Sequence, residues 1–169
     1  MSDTLSLEQM IGVDRQENRL GVQLARKEWT TRLFNYFDYT ATTERTGDVQ
    51  NPEIRLTPMT NPTDKDYNFV IEAGRGVWLQ EQAYWEKQGN AKKAGQAKKN
   101  YEIYDQALNY RGGTKNPGNE KAYRTVVAEQ GRVLNKLLNS NDVVLNGGPG
   151  MDTVKENINA ATQTLLNRR

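Results

Sequence analysis

A mainly α fold follows from two features of this sequence. Capping signatures precede apolar residues at helical spacing, and clusters of Gly, Pro and Asn separate the resulting segments. Four helical regions are expected in a single mostly helical domain covering residues 1–169, with a long irregular, proline-containing arm between the first and second. Ser6-Leu7-Glu8-Gln9 has the form of a capping box and places a first helix start near Ser6. Val22, Trp29, Leu33 and Phe37 follow at spacings of seven, four and four, with Arg19, Arg26, Lys27, Glu28 and Arg32 between them. That pattern is an amphipathic helix, with Gly12 or Gly21 as points of bending.

Residues 40–68 differ in character. They hold Pro52, Pro58 and Pro62 and little periodic apolarity, so an extended arm or loop is expected, with a short extended piece at Glu53 to Thr57. Tyr67 to Ile71 suits either a strand or the lead-in to the second helix. From Val77 to Tyr110 the pattern is helical, with Gly89 and Gly95 as candidate breaks. The turn at residues 111–119 leads to a third helical region from Glu120 to about Leu138, with Asn119 as its candidate cap. The fourth begins at Asp152 or Thr153, where Thr153-Val154-Lys155-Glu156 forms a second capping box, and its stripe is Val154, Ile158, Ala161 and Leu165.

Composition narrows the chemistry. The chain of 169 residues has 36% apolar residues, a net charge of +2, and neither cysteine nor histidine. Disulfides, thiol catalysis, Cys/His zinc sites and imidazole bases are thereby excluded. Its mean hydropathy of −0.88 predicts a thin core completed by partners. No stretch approaches the ~18 consecutive apolar residues of a membrane span, and residues 1–12 lack the pattern of a secretory signal. The cytoplasm or a virus particle is the expected setting.

The local motifs fail as ligand sites. Asp64-Lys65-Asp66-Tyr67-Asn68 opens like a calcium loop, but Phe69 and Arg75 occupy the positions that need Gly and Glu. Gly147-Gly148-Pro149-Gly150 precedes a helix without the Lys of a phosphate loop, and Asp152 puts a carboxylate there instead. Asp38, Glu44, Asp48 and Glu53 are the available carboxylates near the arm, with nothing in the sequence to fix a working pair. No catalytic, cofactor or metal residue is assigned, and the protein is expected not to be an enzyme.

The duplicated stretch QGNAKKAGQAKKN, residues 88–100, is the most informative. If Val77 to Tyr110 is one helix, Lys87, Lys92, Lys93, Lys98 and Lys99 spread around it at 100° per residue. Ala94, Ala97, Tyr101, Tyr104 and Leu108 instead align at spacings of three, four, three and four, a seam for another helix. Trp78, Trp85 and Ile103 then share a second face. These features suit a non-enzymatic structural subunit of a homo-oligomeric assembly, with a virus-particle component (a head–tail connector, internal or ejection protein) as the expected setting. The alternative is a small nucleic-acid-binding or packaging-associated protein using Lys92, Lys93, Lys98 and Lys99, flanked by Tyr84, Tyr101 and Tyr104. A partner-binding adaptor is the third reading.

Overall fold

The computed structural model describes residues 20–44, 53–61, 65–110 and 116–167. The capping box at Ser6 lies outside them. Among the described residues five helices carry the fold: α1 (Leu20–Tyr36), α2 (Tyr67–Lys87), α3 (Ala91–Leu108), α4 (Pro117–Leu138) and α5 (Met151–Leu166). Three short strands, β1 (Tyr39–Glu44), β2 (Glu53–Pro58) and β3 (Val143–Leu145), form one sheet in the order β1-β2-β3. The mainly α expectation is met.

The arm is more regular than its prolines suggest. β1 and β2 pair antiparallel from Tyr39 opposite Pro58 to Glu44 opposite Glu53, and β3 joins β2 in parallel, with Ile54 opposite Val143. Pro58 is tolerated because it ends its strand, where no further ladder donor is needed. Ile54 and Leu56 alternate with less buried neighbours and turn into the core. Where it is described, the expected irregular arm therefore contains two paired strands, stabilised by a third drawn from a distant part of the sequence.

The single helix from Val77 to Tyr110 is two helices. Gly89, at φ +74°, adopts a left-handed conformation that an L side chain resists, and the chain turns there. Asn90 then caps α3, its side chain accepting from Lys93 N at 3.0 Å. Gly95 stays inside α3 and breaks nothing. Because the axis changes direction at Gly89, Trp78 and Trp85 do not share a helix face with Ile103.

Two other boundaries shift. α4 starts one turn early because Asn116 accepts from Asn119 N at 3.2 Å and Pro117 supplies a ready-made first position. α5 starts at Met151 behind Gly150, which offers no side-chain cap, so the expected capping box at Thr153 is not its start. The polar turn before α2 also has a structural role: Asp66 caps that helix by accepting from Asn68 N at 2.9 Å.

One continuous core joins all five helices to the sheet, with Trp29, Phe34, Trp78 and Tyr123 among its fully buried side chains. α2 lies centrally, between α1 and α3. At Gly74 the packing is so close that a Cβ would stand 2.6 Å from the Tyr104 ring, which lets α3 settle against α2.

Candidate interaction surface

The helix seam expected on α3 faces the chain's own core. Ala94, Ala97 and Tyr104 are buried, while Tyr101 and Leu108 are partly buried at the core's edge. The small alanines let α2 and α4 approach α3. Trp78 is also fully buried, and Ile103 is half-buried against the core. The aromatic and alanine positions picked out by spacing thus bring elements of one chain together.

Trp85 has a different role. Its Nε1 donates to Glu81 Oε2 at 2.9 Å, and Glu81 Oε1 accepts from Arg26 Nη2 at 2.8 Å. This ion pair is almost wholly buried, at 5% and 4% side-chain exposure. Across the Gly89 turn, Lys93 Nζ stands 4.1 Å from the centre of the Trp85 ring, and Tyr84 meets the same ring edge-on. Arg26, Glu81, Trp85 and Lys93 therefore form one polar chain linking α1, α2 and α3.

Lys92, Lys98 and Lys99 are exposed on α3, as is Lys93. Lys92 and Lys99, seven positions apart, project on one side, while Lys98 points about 100° away and Lys93 turns back over Trp85. Tyr104 is buried away from them, and Tyr101 is half-buried. The four lysines do not converge with exposed rings into one groove.

A second polar cluster lies deep between α2, α3 and α4. Tyr67 Oη donates to Gln130 Oε1 at 2.7 Å, and Gln130 is fully buried. Burial pushes the Tyr67 and Tyr104 phenols well above the ordinary tyrosine value, reinforced at Tyr104 by the Glu129 carboxylate and opposed by the neighbouring Trp78 and Gln130 side chains. These groups are sealed from solvent and hold the core together.

The candidate carboxylates are engaged structurally. Asp38, in a left-handed turn at φ +66°, pairs with Lys65 at 2.8 Å, and Glu53 pairs with Arg55 at 3.0 Å. Asp48 and the side chain of Glu44 lie outside the described residues. Among the described residues no group of three or more metal-ligating side chains is present, and no helix is long and apolar enough to cross a membrane.

What the described surface does carry is apolar. Leu20 and Leu24 of α1 are 64% and 58% exposed, and Phe69 and Leu79 of α2 are 54% and 48% exposed. The four residues lie on the adjacent helices α1 and α2, which run antiparallel: Gly21 is beside Gln80, and Arg32 donates to the Phe69 carbonyl at 3.2 Å. On α2, Phe69, Gly76, Leu79 and Ala83 follow at spacings of seven, three and four, one stripe of the helix. Gly76 has open space in front of it. The spacing pattern does not reveal this surface, because Leu20 and Leu24 lie opposite the Val22–Trp29 stripe of α1, and Phe69 and Leu79 lie on a different side of α2 from Trp78 and Trp85. Protein-family models, curated proteins and solved structures were compared with the chain, and none matches it.

Proposed function

We propose that this protein is a non-enzymatic structural subunit that associates with copies of itself through the outer stripe of α2. The observation carrying this reading is the pair of exposed side chains Phe69 and Leu79 flanking the open Gly76. Large solvent-facing apolar side chains along one side of a helix mark a surface that a partner covers. The stripe is also self-complementary. In an antiparallel pairing about Gly76, Phe69 of one copy, seven positions before the centre, meets the small Ala83 of the other, seven positions after it. A second copy is therefore the occupant the pattern fits. The virus-particle setting rests on the absence of catalytic residue types and on analogy of architecture.

Leu79→Glu tests the reading. It places a charge on an exposed position, so folding is preserved while association is lost, measured as particle mass at micromolar concentration. An unchanged mass distribution in that variant would remove the α2 stripe from the interface.

The nucleic-acid reading is favoured by one observation, the exposure of Lys92, Lys98 and Lys99 beside the Lys93–Trp85 contact. Its expected signature is binding that weakens steeply with salt and is lost when the four lysines become Gln. Absence of binding at low salt would rule it out.

A further inference from the structure

We propose that Asn146 is a self-modification site, where the Gly147 main-chain nitrogen displaces the side-chain amide as ammonia and leaves an aspartyl or isoaspartyl residue. Asn146 and Gly147 form the one Asn-Gly step in the sequence. They follow β3 directly, in the connection to α5, and both are exposed. This inference does not depend on self-association.

The reaction needs a nitrogen able to attack, an unhindered approach and water. No backbone carbonyl among the described residues accepts from the Gly147 N–H, so its proton is not held by the fold. Gly147 has no side chain to block the approach, and the space where a Cβ would stand is open. Gly147 and Gly148, at φ +85° and +82°, carry the chain through a turn that belongs to neither flanking element. Asparagine is already among the thermally labile residues of proteins. Asn139 makes the contrast: it is exposed too, but Ser140 follows it and the Ser140 N–H is bonded to Leu137 O at 3.0 Å.

The steps balance with water as the sole co-reactant. The Gly147 nitrogen bonds to Asn146 Cγ, the Cγ–Nδ2 bond breaks, and ammonia leaves with the proton that Gly147 N has lost. The resulting cyclic imide takes up one water. Opening at Cγ restores the main chain and gives aspartate, whereas opening at the main-chain carbonyl gives isoaspartate. Either way a neutral amide becomes a carboxylate, and the surface gains a negative charge.

Conversion acts on the joint between β3 and α5. Asn146 N donates to Leu56 O at 2.7 Å and Asn146 Nδ2 to Thr57 Oγ1 at 3.3 Å, which ties the end of β3 to β2. Two positions on, Gly148 sits so close to Pro58 that a Cβ would stand 2.6 Å from its ring. The isoaspartyl product loses the Nδ2 donor and inserts one main-chain carbon between these two anchor points. The close seat of Gly148 is then disturbed.

The test incubates the folded full chain in mildly alkaline buffer and follows each asparagine by mass spectrometry of a digest. Replacement of NH2 by OH is expected at Asn146 at least about tenfold faster than at Asn139, a difference of about 1.4 kcal/mol in activation free energy. It is also expected within about tenfold of the rate in the urea-unfolded chain, because a site held by the fold reacts only when it opens. Rates closer together at the two asparagines would overturn the proposal, and so would a folded chain that lags further behind the unfolded one. Asn146→Asp carries the charge without the longer main chain. The isoaspartyl form, separated by chromatography, should melt at a lower temperature than this variant, and equal melts would overturn the effect on the joint.

Discussion

Arg26 and Glu81 show how much of this fold depends on single polar contacts. Both are nearly sealed from water, so their ion pair replaces part of the interaction that each has lost with solvent. Replacing Glu81 with Leu would leave Arg26 charged in the core and release the Trp85 indole. We expect a loss of about 3–5 kcal/mol in urea unfolding, as for other broken buried pairs. Tyr67→Phe is expected to cost about 1–3 kcal/mol, because Gln130 Oε1 would stay buried without its donor. The phenols also set a pH limit. Because burial raises the pKa of Tyr67 and Tyr104 in the folded chain, folding retains protons that the unfolded chain releases above pH ~10. Stability is therefore undiminished by these groups below that pH and falls as pH rises through and beyond it. Urea midpoints measured on either side of pH ~10 should decline, and Tyr104→Phe should make the decline shallower; a flat profile would contradict the assignment.

At the scale of elements, the two glycines of the lysine-rich stretch have opposite roles. Gly89 is at positive φ between α2 and α3, whereas Gly95 sits within α3 with open space beside it. Gly89→Ala is expected to destabilise by about 1–2 kcal/mol through the left-handed backbone. Gly95→Ala is expected to stabilise by up to about 1 kcal/mol through helix propensity. Thermal melts of the two variants should therefore move in opposite directions. The sequence made both glycines visible but not the difference, since φ is settled by what the flanking helices pack against. The same limit applies to the arm. Glu53 to Thr57 could be read as extended, but its partners come from Tyr39–Glu44 and from Val143–Leu145, the latter almost ninety positions away. Nothing local encodes that pairing. By contrast, the Ala94, Ala97, Tyr104 side of α3 was legible because its spacing lies wholly within one helix. Trp78, Trp85 and Ile103 were grouped wrongly because the count ran across a turn.

For the molecule as a whole, the aromatic content that promised partners is mostly internal: Trp29, Trp78, Tyr104 and Tyr123 build the core. The exposed apolar surface of the described residues is mostly aliphatic and smaller, with Phe69 as its one large ring. It was not legible from α1 because Leu20 and Leu24 fall on the helix side opposite Val22 and Trp29, so apolar residues occur on both sides and their periodicity cancels. The central claim is that copies of this chain meet through Phe69, Gly76 and Leu79. Sedimentation velocity over a dilution series around micromolar concentration tests it most directly. The account predicts a mass that rises with concentration to a multiple of one chain in the wild type and stays at one chain in Leu79→Glu. A wild-type chain that sediments as a monomer throughout would contradict it.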